Sequence, residues 1–327
     1  MPAVITHYLF AKTCVDSIGD TEVLKSVEQH RDIFYLGAQG PDILFFALGD
    51  KTLNQLGERM HHEGINGFFA ECINRIRKTA AHDGRYEIIA YVTGFICHYA
   101  LDTCTHPYIY YKTGFSDVFG NITGESEVRH HFLETTIDCI LSEKIEEMNP
   151  YLLNIVKKIT IEAKKRALIG KFLSETVQLS YDTALSPDDY VKAMRDMAFV
   201  YRVLRDKSGR KRAILYKLGK VFRYMESVAS LVHYAPVERL DYLNEQRNEW
   251  SYPWDVVMDM NFSFMDLFNR AIEDSRIYIN AFAKAINKQL DDKRTLSILG
   301  SKNFSTGLES PVEFRYYSID FEKLKKE

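Results

Sequence analysis

The stretch that most constrains this chain runs from Gly94 to Pro107: Gly-Phe-Ile-Cys-His-Tyr-Ala-Leu-Asp-Thr-Cys-Thr-His-Pro. It sets His98, Asp102 and His106 at intervals of four. On an α-helix a step of four turns the face by only about 40°, so the three side chains form one row. Phe95, Ile96, Tyr99, Ala100 and Leu101 cover the other sides, and a helix over 85–106 is expected to be buried. Pro107 disfavours helical geometry in the residue before it, so the helix is expected to end at His106. A buried row of His, Asp and His is costly without a partner. A divalent metal is the simplest one, because imidazole and carboxylate are both zinc ligands. The plainer alternatives are a solvated helix face and hydrogen-bonded core histidines.

Six other residues, at four places in the chain, carry the same chemistry. His130 and Glu134 share one face of a strongly helical segment. His61 and His62 are adjacent before the next helix, and either one fits as a ligand. Asp42 follows Gly40-Pro41, where a short loop can hold a carboxylate at a fixed angle. His7 lies in the first predicted helix. Each has an ordinary explanation: a surface pair, a turn cap, a surface histidine. Together they supply His and carboxylate ligands for more than one zinc ion.

The rest of the chain is read around that set. Its 327 residues, 46% hydrophobic and 27% charged, can bury a sizeable core. Net charge is −3, without the basic bias common in nucleic-acid binders, so no stable nucleic-acid complex is expected. Five cysteines, an odd count without a CxxC pair, point to free thiols in a reducing compartment. No secretory pattern and no apolar run of about 18 residues occurs, so a cytoplasmic chain without a transmembrane anchor is expected.

Helical spacing recurs over 5–17, 21–30, 64–80, 85–106, 125–144, 150–184, 187–206, 209–231 and 260–290. Loops are expected at 35–42, 112–124 and 244–255, the last holding both tryptophans, Trp250 and Trp254. No alternating run long enough for a sheet appears, so the fold class is all-α. Nine of the ten histidines precede residue 132. This asymmetry suggests a metal-bearing core over 1–145, additional helices over 146–290, and an irregular or short-strand tail over 291–327.

The combination His98-xxx-Asp102-xxx-His106 and His130-xxx-Glu134 resembles the bacterial zinc-dependent phospholipase C family. The opening Met-Pro-Ala-Val-Ile-Thr-His and the segment Gly40-Pro41-Asp42-Ile43-Leu44 look like its intracellular branch. The resemblance implies a multi-helix bundle, shared with single-strand-specific zinc nucleases, and a zinc cluster that cleaves phosphodiesters. It implies Asp42, His98 and one of His61 and His62 at a first zinc, Asp102 as a bridge, and His106, His130 and Glu134 at a second. His7 matches the ligand of a third. The family's secreted members begin with a tryptophan that ligates that third ion, whereas this chain begins Met1-Pro2, so two zinc ions are expected, with a third site near His7. Their spacing from the aspartate to the second histidine is also longer. The implied substrate is a phosphodiester such as a phospholipid, with Asp42 accepting a proton from the attacking water. Asp138 is a candidate partner for a ligand histidine. The rival readings are a nuclease or nucleotidase, with Tyr108, Tyr110, Tyr111 or Trp250 stacking on a base, and a non-catalytic zinc-binding helical protein.

Overall fold

A computed structural model describes residues 4–115, 124–219, 222, 224–234 and 240–318. The helices are α1 (Val4–Cys14), α2 (Thr21–Gln29), α3 (Arg31–Gly37), α4 (Lys51–His62), α5 (Ile65–Lys78), α6 (Arg85–Thr113) and α7 (Gly124–Glu146). They continue as α8 (Ile155–Ile159), α9 (Ala163–Tyr181), α10 (Pro187–Leu204), α11 (Arg210–Gly219), α12 (Tyr224–Ser230), α13 (Phe264–Ile286) and α14 (Asp292–Leu299). A 3₁₀ turn spans Gly40–Phe46. The only sheet among the described residues is an antiparallel hairpin of β1 (Trp250–Tyr252) and β2 (Asp255–Met260). The fold is therefore all-α, as its spacing predicts.

The centre is α6, a helix of 29 residues that is buried along most of its length. α13 and α3 pack along it, with α1, α2 and α7 completing the surround. Its approach to α3 depends on two glycines. A Cβ at Gly94 would lie 2.1 Å from the Phe34 carbonyl oxygen, and one at Gly37 would lie 2.1 Å from that of Tyr91. The two backbones touch only because neither position carries a side chain. That contact brings the end of α3, and the 3₁₀ turn after it, against the face of α6 that holds His98.

Four expectations need correction. α6 does not stop at His106; it passes through Pro107 to Thr113. Packing overrides the proline here: Tyr108 and Ile109 are buried, the Tyr108 hydroxyl donates to the Tyr242 carbonyl (2.8 Å), and its ring meets Trp250 edge-on. The segment 35–42 is helical up to Gly37 and 3₁₀ from Gly40, because Phe34, Tyr35 and Leu36 are all core residues. The segment 244–255 contains β1, the turn and the first residue of β2; Trp250 anchors the hairpin, with its indole N–H donating to the Phe262 carbonyl (2.9 Å). Residues 291–327 include α14, started by Asp291, whose carboxylate accepts from the Arg294 N–H (2.9 Å). Beyond it the chain is irregular, and Val312–Tyr317 is not a strand. Smaller differences are breaks at 160–162 and at Phe222, within stretches read as continuous helices. Most of the predicted loop 112–124 lies outside the described residues.

Candidate metal centre

Five elements converge on one buried spot. α6 presents His98, Asp102 and His106 along one side; α1 adds His7, the 3₁₀ turn Asp42, the last turn of α4 His61, and α7 both His130 and Glu134. All eight side chains are buried. Their ligand atoms form three groups, each able to hold a metal ion: His7, Asp42 and His98; His61, His98 and Asp102; and His106, His130 and Glu134. Asp102 sits between them. One carboxylate oxygen is 3.2 Å from His7 Nε2; the other is 3.0 Å from His98 Nε2 and 3.8 Å from His106 Nδ1. Glu134 Oε1 lies 3.1 Å from His130 Nε2 and 3.4 Å from His106 Nε2.

The ring orientations are set by backbone carbonyls. Nδ1 of His61 donates to the Gly57 carbonyl (2.7 Å), that of His98 to Ala38 (3.2 Å), and that of His106 to Phe304 (3.1 Å). A carbonyl can only accept, so each Nδ1 carries the proton. In the neutral ring the lone pair is then on Nε2, which is the tautomer of a metal-bound imidazole. Those three Nε2 atoms lie beside Asp42 (3.0 Å), Asp102 (3.0 Å) and Glu134 (3.4 Å) respectively.

Electrostatics keep the carboxylates ionised. Burial opposes ionisation of Asp42, but the His61 ring, which in the metal-free chain donates to it when protonated on both nitrogens, and the neighbouring His98 hold it at about 2. Asp102, facing His106, His98 and His7, and Glu134, facing His130 and His106, lie well below the usual carboxylate range despite burial. Burial disfavours the charged His106 ring, yet Asp102 and Glu134 outweigh it and raise the group to about 9. His7 is raised by Asp102 in the same way, whereas burial dominates at His98 and His130 and lowers both. Two nitrogens of the eight centre residues are buried with no hydrogen-bond partner, His7 Nδ1 and His98 Nε2; the latter is close to Asp102 but out of line with it. Imidazole nitrogens and three ionised carboxylates, buried together with unpartnered donor atoms, match the ligand preference of zinc.

A family model for zinc-dependent phospholipase C matches residues 6–182, more than half of the chain. The chain belongs to the zinc-dependent phospholipase C family. No curated protein and no solved structure matches it. Every residue of the three groups falls inside the phospholipase C match.

Of the adjacent histidines, the centre takes in His61 and leaves His62 out. The His62 side chain is 42% exposed and bonds to Glu58 (2.9 Å) and to Asn303 (2.9 Å). Successive helical residues point about 100° apart, so only one can face inward. Of the four candidate stacking aromatics, only Tyr110 lies on rings of this centre among the described residues, 4.9 Å from His130 and 5.8 Å from His106. Tyr108 and Tyr111 pack on Trp250 instead.

Two partners lie outside the predicted ligand set. Asp138, one turn beyond Glu134, does not hold a ligand histidine. Its carboxylate accepts from Ile5 N (3.1 Å), Thr6 N (2.7 Å), Thr6 Oγ1 (2.6 Å) and His233 Nε2 (2.9 Å). It thereby fixes the start of α1 immediately before His7. The other is Phe304, far beyond the phospholipase C match. Its N–H donates to the His61 carbonyl (2.8 Å), its own carbonyl holds His106, and its ring lies 5.0 Å from His61 and 5.8 Å from His98. The strap that carries it closes on α6 at Gly307 (φ +68°), where a Cβ would be 2.3 Å from the Thr103 carbonyl oxygen. That is the carbonyl whose helical donor Pro107 lacks.

Among the described residues no helix is long and apolar enough to cross a membrane.

Proposed function

We propose that this chain is a zinc-dependent phosphodiester hydrolase acting on phospholipid-type substrates. The observation that carries the reading is the pinning of His61, His98 and His106 by carbonyls, which turns three Nε2 atoms toward buried ionised carboxylates. Asp42, His61, His98 and Asp102 would hold one zinc ion; His106, His130 and Glu134, with Asp102 shared, would hold a second; His7 would serve a third. Zinc so held lowers the pKa of bound water toward neutral and offsets the charge of a phosphodiester.

The protein's own groups do the rest. Asp42 stays ionised through neutral pH and accepts the proton released as water attacks phosphorus. Asp102 keeps the two halves of the centre in register. Phe304 covers the His61 and His98 rings and excludes bulk water from them. The five free cysteines, four of them buried, support a reducing compartment for this activity.

The test is a metal analysis followed by a substrate screen. Protein purified without chelator should carry two to three zinc ions, by expectation from about three ligands per ion. It should release phosphomonoester from phosphatidylcholine in mixed micelles, and lose that activity on chelation. A single-stranded oligonucleotide is the competing substrate: preferential cleavage would move the assignment to the nuclease reading. Fully zinc-loaded protein inert toward lipid, oligonucleotide and bis-nitrophenyl phosphate would leave zinc a structural role.

A further inference from the structure

A cavity of about 390 Å³ lies away from the metal centre, between α10, the end of α3 and the segment that joins α8 to α9. None of the eight centre residues lines it. Its wall carries three arginines, Arg166, Arg195 and Arg202, and one acid, Asp196. Arg195 and Arg202 are seven apart on α10, two turns along one face, with Phe199 between them.

The arginines lack counter-charges. Among the described residues Arg195 and Arg202 enter no ion pair or hydrogen bond. Arg166 spends one terminal nitrogen on the Ile161 carbonyl, while its Nε is buried without a partner. Asp196 does not neutralise them, because it accepts from Lys192 Nζ (2.8 Å) and the Leu48 N–H (3.1 Å). Three arginines line this one cavity, Arg195 and Arg202 exposed and Arg166 partly buried, on a chain of net charge −3. α9, a helix of 19 residues, also begins at this wall, and its N-terminal end favours an anion.

Guanidinium forks match the oxygens of phosphate in pairs, a geometry that ammonium groups do not supply. Beside the charged groups and Thr160 the wall is apolar: Leu36, Ile159, Ile161, Met194 and Ala198 line it, and Phe199, 54% exposed, stands at its rim. The ligand should therefore carry a phosphate on an apolar body. We propose that this cavity is a second site that recognises such a phosphate through Arg166, Arg195 and Arg202, separate from the metal centre and independent of the reaction assigned to it. The phosphate can come from an anionic phospholipid headgroup or from a soluble phosphomonoester.

The experiment uses the full zinc-loaded chain, with two probes: hexyl phosphate in calorimetry, and sedimentation with phosphatidylcholine vesicles containing phosphatidic acid. Wild type is compared with Arg195→Gln/Arg202→Gln and with Arg195→Lys/Arg202→Lys. Zinc content and cleavage of bis-nitrophenyl phosphate should be unchanged in both variants, which shows that they fold and keeps this test apart from that of the metal centre. The glutamine pair should weaken probe binding about ten-fold or more, from the loss of charge-assisted bonds. The lysine pair should recover little of it, because the charge returns without the fork. Loss confined to the vesicles identifies a headgroup, and loss of hexyl phosphate alone identifies a soluble ligand. Equal binding by wild type and the glutamine pair, no binding of either probe by wild type, or full recovery with lysine would each overturn the proposal.

Discussion

The two halves of the metal centre are held in different ways. On the His61–His98 side, the imidazoles are oriented from within the N-terminal part of the chain: His61 by Gly57 on its own helix, His98 by Ala38 at the end of α3. On the His106–His130–Glu134 side, His106 depends on Phe304, 198 residues downstream. The first half takes the carbonyls that orient its imidazoles from within the segment that matches the family and meets the C-terminal strap only through the Phe304 N–H and ring, while the second takes an orienting carbonyl from that strap. A ligand set can thus lie in one stretch of sequence while its orientation is supplied by another.

The largest expected effect removes the distinction altogether. Asp102 is within reach of His7, His98 and His106, so Asp102→Asn should strip zinc from both halves, because the amide keeps the shape and loses the charge. Glu134→Gln should deplete only the His106 half. Metal content by elemental analysis, on protein purified without chelator, checks both. Equal zinc in wild type and Asp102→Asn would show that the carboxylate does not join the halves.

Gly307→Ala should separate them. Its Cβ would collide with the Thr103 carbonyl, and the positive φ at 307 adds strain. The strap must lift, taking the Phe304 carbonyl from His106. The expected result is loss of about one zinc ion per chain, from the His106 half, with the His61–His98 half still loaded. Phe304→Ala keeps the carbonyl but deletes a fully buried ring, and should cost about 3–5 kcal/mol of stability in chemical denaturation. If both variants lost all zinc, the halves would not be independent.

How much of this was legible follows from the kind of atom involved. His98, Asp102, His106, His130 and Glu134 announce themselves through four-residue spacing, because side-chain identity and helical period are both written in the sequence. His61 and His62 are adjacent, and only the rotation of α4 against the 3₁₀ turn selects between them. Phe304 acts through its backbone carbonyl, which every residue has, and no pattern marks it. Pro107 reads locally as a helix end, but the burial of Tyr108 and Ile109 is a tertiary effect that local preference does not contain. The hairpin escaped for the same reason: β1 is only three residues long and is held by packing of Trp250.

A pH titration sharpens the comparison further. In the metal-free chain His106 is raised to about 9, whereas burial lowers His98. Zinc must displace the His106 proton at neutral pH, so affinity at the second half should rise about ten-fold per pH unit up to pH ~9 and then level off. The first half should show a weaker dependence over the same range. The sign for stability is the reverse. A raised folded-state value means that the chelated chain holds this contribution fully below about 6.5 and loses it as pH climbs through about 9. Zinc binding followed by competition with a chromophoric chelator, and melting of the chelated protein across the same range, measure the two. Parallel pH slopes at the two halves would remove the asymmetry.

The smallest expected effect tests the centre's edge. His61 and His62 are neighbours, and either fits the spacing of a ligand, yet they differ in everything physical. His61 is buried, with Nδ1 on Gly57 and Nε2 on Asp42. His62 is exposed, pairs with Glu58 one turn back, and touches the strap only through Asn303. Exposed i,i+4 pairs contribute about 0.3–0.5 kcal/mol. His62→Ala should therefore leave zinc content and turnover at wild-type levels and shift stability by no more than roughly 0.5 kcal/mol. His61→Ala should lose zinc from the first half and, with it, most activity. The reverse outcome, with zinc lost from His62→Ala and kept in His61→Ala, would mean that α4 is rotated by about one residue from the orientation described. In that case Asp42 would lose its hydrogen-bond partner, and the pinned-imidazole account of the first half would go with it.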